Sequence, residues 1–392
     1  MRFDRDSACA EGERGAMRIA LVHALPLEYY PPTRNLIEIL ARCSWEVRVW
    51  STHNRRGLPH WTADGVRIDR IALASPTNAL PFRMAGYLRW HLQTAFALTA
   101  WKPDAVISIE PHSALAVWTY LKLVSRAAAL FIHHHEYYAP ADFDAPGMRF
   151  LRAIRRLERD DLFARAKWVS QTNDQRLRLL LEDSPSLSRR IVHAMPNYPP
   201  ADWIAAASVA GQAPPSGLLR LVYVGAASFE DTFIREAVEW VISNPGRVSL
   251  YVCGDNIQRN VVDWIRSVGS RDVTINEKGV AYEALASLLP QFDVGLVLYR
   301  GNTSNFVHNV PNKAIEYLAC GLQVWYPRVM QGMVSFHEQY PAEDLREMEF
   351  QSLPAVPPAV MRRSRSIPFP FTAERAVAPL MAELGSIESQ SG

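Results

Sequence analysis

The sequence predicts an α/β protein made of two doubly wound domains, and three observations carry that expectation. Short, near-continuous apolar runs alternate with stretches of helical spacing, the order expected of parallel strands covered on both faces by helices. The alternation runs twice, before and after a stretch rich in Pro, Gly and Ala at 197–217 (NYPPADWIAAASVAGQAPPSG). At 392 residues the chain also exceeds what one hydrophobic core usually supports, so two domains of roughly 150 to 200 residues are expected.

Residues 1–16 (MRFDRDSACAEGERGA) are polar, lack the apolar core of a signal peptide and read as a flexible extension, with Met17 as an alternative start. The first domain, 17–197, opens on MRIALVHA (17–24), a β-rich run ending in the turn-prone LPLEYYPPT. RNLIEILARC then sets Leu36, Ile39, Leu40 and Cys43 at helical spacing, and WEVRVW (45–50) is the next strand. The series continues with GVRIDRIAL (65–73), a helix over 84–101, DAVISIE (104–110) and a helix from Ala114. AAALFIHH (127–134), an Arg-rich helix over 147–166, AKWVSQT (166–172) and RIVHAMP (190–196) complete it.

Residues 198–217 read as an interdomain linker. The second domain, 218–350, repeats the pattern: LLRLVYVGA (218–226), a helix over 232–242, RVSLYVCG (247–254), a helix over 257–268 and DVTINEKG (272–279). A helix over 281–290, DVGLVLY (293–299), a short helix over 311–320 and LQVWYP (322–327) follow. The tail, 351–392, is rich in Pro and Arg over 351–371 and ends in a helical stretch, 372–384, expected to pack back on the first domain.

Composition narrows the function. With 48% hydrophobic and 21% charged residues the chain is an ordinary globular one, and a net charge of +2 makes no case for nucleic acid. Four widely spaced cysteines form neither a CxxC nor a Cys/His cluster, so neither structural zinc nor a disulfide framework is expected, which fits a reducing, cytoplasmic compartment. No apolar run approaches the ~20 residues of a membrane span.

The stretch HNVPNKAIEYLACGL, 308–322, concentrates the chemistry. Pro311 suits the start of a helix and Gly321 its left-handed stop. The first-turn N–H groups of Asn312 and Lys313, with the lysine ammonium, make a ready anion site where the helix dipole otherwise disfavours a cation. Glu316 lies on the same face one turn deeper, where a carboxylate could accept from a ribose diol. Asn302, Thr303, Ser304 and Asn305, following the strand DVGLVLY, add short polar side chains at the carboxyl edge of a sheet. A surface ion pair between Lys313 and Glu316, worth about 0.3 kcal/mol, is the competing reading.

NVPNKAIEYLACGLQV resembles the carboxyl-terminal segment of GT-B glycosyltransferases grouped with family 4, whose "PNK..EYLA.GLPV" pattern binds the nucleotide of a sugar donor. MRIALVHA, FIHHHEYY (131–138), LERDDLFARAKWVSQTN (157–173), MPNYPP (195–200), LVYVGA (221–226) and INEKGVAYEALASLLPQFDVGLVLY (275–299) resemble the same family in the same order. The resemblance implies a GT-B fold, two Rossmann-like domains facing each other across a cleft, with the donor on the second and the acceptor on the first. Carried across, Glu316 would hold the ribose, Lys313, Asn312 and the 302–305 loop the diphosphate, and Lys278 to Val280 the base. His135, with Glu136, would sit near the transferred sugar. Two departures stand out. His308 occupies the place of the first glutamate of a Glu-x7-Glu pair, and no Arg and Lys pair follows LVYVGA, leaving Lys313, the helix terminus and Arg300 to neutralise a departing diphosphate. No carboxylate cluster has metal-ligand spacing, so no metal or other cofactor is required in this reading.

HHHE (133–136) cannot turn three adjacent histidines to one ion on an extended segment. Arg34 is either an acceptor-binding or a solvated arginine. Residues 147–190 hold ten Arg and one Lys against six acids, with Phe150, Leu151, Ile154 and Leu157 interleaved, so they form either a solvated face or a peripheral contact with anionic lipid. The expected function is transfer of a sugar from a nucleotide-sugar to a carbohydrate or lipid-linked acceptor, in surface polysaccharide assembly. The alternatives are a catalytically silent GT-B subunit and a nucleotide-sugar epimerase of the same fold.

Overall fold

The computed structural model describes residues 16–75, 77–124, 127–144, 147–210, 217–360 and 369–390. Residues 1–15 of the extension, 211–216 of the linker stretch and 361–368 of the tail lie outside the described residues. The chain divides into two compact units after Pro196, and the first also takes the carboxyl-terminal segment from Glu374.

The first unit holds a sheet of seven parallel strands: β1 (Arg18–His23), β2 (Glu46–Thr52), β3 (Arg67–Ile71), β4 (Ala105–Ile109), β5 (Ala129–His134), β6 (Ala166–Gln171) and β7 (Val192–Ala194), in the order β3-β2-β1-β4-β5-β6-β7. Alternation sends successive side chains to opposite faces. Ile19 and Leu21 join Val47, Val49, Ile107 and Phe131 in one core, while Ala20 and Val22 join Trp50, Val106, Leu130 and Ile132 in the other. The latter face is covered by the helices Leu80–Trp101, Ala114–Leu123 and Arg149–Leu157, the former by Pro31–Ala41 and the terminal helix Ala373–Gln390. That last helix buries Val377, Leu380, Leu384 and Ile387 with the first sheet, and Trp45 Nε1 donates to Glu388 at 3.1 Å. The helix expected from residue 84 starts at Leu80, because Pro81 is tolerated in a first turn.

The second unit holds six parallel strands: β8 (Leu219–Val224), β9 (Val248–Cys253), β10 (Val273–Asn276), β11 (Val294–Leu296), β12 (Gln323–Tyr326) and β13 (Leu345–Glu347), in the order β10-β9-β8-β11-β12-β13. Part of the stretch read as a linker is helical: Asp202–Ala210 is a helix whose Trp203 and Ala207 are buried with Leu285, Ala286 and Leu289. Trp203 and the alanines carry enough apolar surface to anchor it despite the flanking prolines. The two sheets share one topology, that of the doubly wound Rossmann-like fold. Among the described residues no helix is long and apolar enough to cross a membrane.

Candidate functional site

In both sheets the strand order reverses between the first and fourth strands, β1 and β4 in one, β8 and β11 in the other. Crossovers leave such a pair toward opposite faces, and ligands of open α/β sheets bind at the carboxyl ends there.

In the second unit, two glycines let side chains close on that point. A Cβ on Gly295 of β11 would lie 2.1 Å from the Tyr317 ring, so only glycine seats this buried tyrosine, whose hydroxyl accepts from Val224 N at 2.9 Å at the end of β8. Gly225, at φ 129, leaves the space into which Lys313 reaches: a Cβ there would lie 2.7 Å from Nζ. Lys313 comes from the first turn of the helix Asn312–Ala319, with Pro311 as the residue before it and Gly321 at φ 79 beyond its end. The helix is one residue shorter at each end than expected, since Pro311 keeps an extended ψ of 141.

Lys313 is 9% exposed, and its Nζ has no hydrogen-bond partner. Nζ lies 4.4 Å from the Tyr223 ring centroid and 4.9 Å from that of Tyr299. Ring faces return about 0.5 to 2 kcal/mol each, less than a buried ammonium loses with its water. Burial accordingly lowers its pKa to about 7, and Glu316 acts in the opposite direction. Glu316 is itself 7% exposed; burial raises its carboxyl to about 7, against the Lys313 charge and a hydrogen bond with Tyr282. The two are buried groups rather than the surface ion pair that spacing alone allowed.

The linkage has a definite sign. Between about 7 and 10.5 the unfolded chain holds the Lys313 proton that the folded one has released, so this group's contribution to stability rises with pH across that window. Between 4.5 and about 7 the folded chain holds the extra proton on Glu316, so that contribution falls as pH rises. Together they place a stability minimum near pH 7. Thermal melts across pH should show the double variant Lys313→Met, Glu316→Gln gaining most near neutrality; an equal gain at every pH would refute the burial argument.

The remaining sequence-predicted residues of this unit divide. Asn312 and Lys313 share the helix terminus with Glu316 a turn below, and Val280 packs on the same core as Ala314 and Ile315. Lys278 is exposed, its backbone N–H donating to Asn276 Oδ1 at 3.2 Å. Asn302 and Thr303 have structural work: Asn302 Nδ2 donates to Asp231 Oδ1 at 2.9 Å, and Thr303 Oγ1 accepts from Phe306 N at 3.2 Å as the cap of the short helix Ser304–Val307. Ser304 is exposed and Asn305 half-buried in that helix, and His308 closes it, its N–H donating to Ser304 O at 3.1 Å. Arg300 is not a spare cation for a diphosphate. It is anchored by Glu236 Oε1 at 2.5 Å and by the Phe229 and Thr232 carbonyls.

In the first unit His135 follows β5 and is buried, with Nε2 2.7 Å from Thr33 Oγ1 and Nδ1 3.1 Å from His133 Nε2. Its neighbour Glu136 is part-exposed and pairs through Oε2 with Arg176 Nη2 at 3.3 Å. His134 points the other way, to Glu158 at 2.8 Å, as alternation on a strand requires. Arg34 is buried over the Trp61 ring at 5.1 Å, so it is not a solvated arginine.

Three residues here went unrecognised in the sequence. Glu110, just past β4, has φ 61 and ψ 151, a region costing about 1 to 3 kcal/mol outside glycine. Its Oε1 accepts from His135 N at 2.8 Å and Glu136 N at 3.1 Å, while the buried Oε2 has no hydrogen-bond partner. Burial first, then the Glu136 charge, push its pKa well up, against the two backbone N–H groups that lower it. His23, ending β1, is fully buried with both ring nitrogens unpartnered, 6.2 Å from the His135 ring. Arg176 donates to the His135 carbonyl at 2.7 Å and fixes that turn from below. A polar residue closing an otherwise apolar run, as in RIALVH and DAVISIE, was the available signal.

Residues 31–197 match the family model of the glycosyl transferase 4-like domain. No curated protein matches the chain in sequence. Among solved structures, sucrose-phosphate synthase from Thermosynechococcus elongatus is similar with a TM-score of 0.58 and 17% identity over 86% of each chain. Anabaena HepE in complex with UDP and glucose gives 0.56 and 10% identity, covering 81% of this chain and 82% of that one. A glycosyltransferase from Rickettsia africae gives 0.55 and 12% identity over 80% of each. The two parallel sheets and these likenesses define the class: the fold is GT-B. Within it, the match to the glycosyl transferase 4-like model lies in the first unit.

Proposed function

We propose that this protein is a glycosyltransferase that moves a sugar from a nucleotide-sugar to a carbohydrate or lipid-linked acceptor in surface glycan assembly, at the cytoplasmic face of a membrane. The observation that carries the reading is Lys313, a buried ammonium without a hydrogen-bond partner at a helix N-terminus and a topological switch point. A diphosphate there would accept from Nζ and from the first-turn N–H groups. Glu316 would take the ribose diol, and the Lys278 to Val280 turn the base. HepE, bound to UDP, supports the choice of ligand class. In the first unit His135 and Glu136 are the proposed catalytic pair and Arg34 the acceptor contact, with no cofactor beyond the donor.

A second reading, a catalytically silent nucleotide-sugar-binding subunit, is favoured by one observation: Arg300 is tied to Glu236, which leaves Lys313 and the helix terminus, of the cations the sequence offered, to neutralise a leaving diphosphate. Calorimetric titration with UDP-, GDP- and ADP-sugars, followed by a hydrolysis assay, separates the readings. Binding with slow hydrolysis supports the transferase, binding without any turnover the silent subunit, and no binding refutes both. At pH 8 binding should take up close to one proton, because a diphosphate restores the charge that burial removes from Lys313. Titrations in buffers of different ionisation enthalpy read this directly, and proton release would contradict it.

A further inference from the structure

The helix Leu80–Trp101 is apolar on two sides. Trp90, Ala95 and Leu98 face the core, yet Leu88, Leu92 and Phe96 stand in solvent on the opposite side, Phe96 at 76% exposure. Leu80, Phe82 and Met84 in the first turns of the same helix are exposed as well, as are Leu123 and Val124 at the end of the next helix. A surface helix normally turns charge outward, so a covering layer is missing from this face.

The charge around it says what covers it. The three helices on this face of the sheet, Leu80–Trp101, Ala114–Leu123 and Arg149–Leu157, contain no Asp or Glu; they carry two arginines, one lysine and four arginines respectively. They form one layer, with Tyr87 of the first and Phe150 of the third in edge contact at 5.6 Å. Leu151 and Ile154 of the third helix are buried in the core, so the 147–190 stretch supplies charge to this surface while the first helix supplies the apolar part.

We propose that the outer face of Leu80–Trp101 seats the protein on a bilayer rich in anionic lipid, with Leu88, Leu92 and Phe96 at the acyl boundary and Arg83, Arg89 and the exposed Arg149 and Arg156 of the third helix against headgroup phosphates. The helix lies in the plane of the interface, because Trp90 and Leu98 hold its other side in the protein core. A second copy fits less well: Lys122, Arg152 and Arg155 are paired with Asp161, Asp144 and Glu158, and a two-fold contact would set the remaining Arg83, Arg89, Arg149 and Arg156 against the same four. The inference is independent of sugar transfer and stands even if the chain moves no sugar.

Co-sedimentation of the full chain with vesicles of phosphatidylcholine, with and without phosphatidylglycerol, tests it. Binding is expected only with phosphatidylglycerol, weakened by salt, and reduced about tenfold or more by Leu88→Gln with Phe96→Gln, whose melting curve should match the parent. Arg83→Gln with Arg89→Gln should also weaken binding and remove part of the salt dependence. No binding to anionic vesicles, or equal binding by parent and variants, overturns the proposal. So does a dimer in sedimentation velocity that Leu88→Gln with Phe96→Gln dissolves.

Discussion

Replacing Lys313 by methionine should weaken binding of a nucleoside diphosphate by a hundredfold or more, while the free protein melts at the same temperature or higher. The two halves of this expectation have one cause. In the free protein Nζ is buried without a hydrogen-bond partner and lies only against the rings of Tyr223 and Tyr299. Methionine fills nearly the same space and replaces the ammonium-to-ring contacts with a sulfur-to-ring contact, so the folded state loses nothing it needed. In the complex, Nζ would hold a charged oxygen in a site screened from water, where a charge-assisted contact is worth about 2 to 5 kcal/mol. Calorimetry and thermal melts on the same samples check both halves. Unchanged affinity would remove the diphosphate from this helix, and a large drop in melting temperature would mean that Lys313 holds the fold.

Replacing Glu158 by alanine should destabilise the first unit by about 3 kcal/mol, a drop of about 6 to 12 °C for a domain of this size. Its carboxylate is fully buried, bonded to His134 Nε2 at 2.8 Å and paired with Arg155. Burial alone would push the carboxyl up; the charges and hydrogen bonds of His134 and Arg155 overcome that and hold it at about 2. A folded-state value below the unfolded 4.5 means stability present above 4.5 and lost as pH falls through about 2. The alanine variant should therefore lose most at neutral pH and nothing below about pH 2. A constant deficit across pH would show that packing, rather than charge, makes the contribution.

Glu158 was unreadable in the sequence for a geometric reason. LERDDLF reads as ordinary helix, but the backbone widens into a π turn over Glu158–Leu162, which breaks the 3.6-residue period and turns a charged residue inward. The strands were legible because their apolar runs are nearly continuous, and the order of the two series predicted the doubly wound sheets. Lys313 and Glu316 were legible because helix spacing places them on one face. The partners of Asn302 and Arg300, Asp231 and Glu236, were not legible because they are distant in sequence.

What the sequence by itself determined is therefore local and periodic: two series of parallel strands, the helix at 312, and the lysine in its first turn. Burial belongs to the tertiary structure. Spacing could not distinguish a solvated ion pair from a desolvated lysine under Gly225, because the difference lies in Tyr223, Tyr299 and Gly225, none of them a helical neighbour of Lys313. Nor could it show that Glu110 is strained and buried while Phe96 is bare. Exposure depends on which elements pack against a residue, and that is decided by the whole fold.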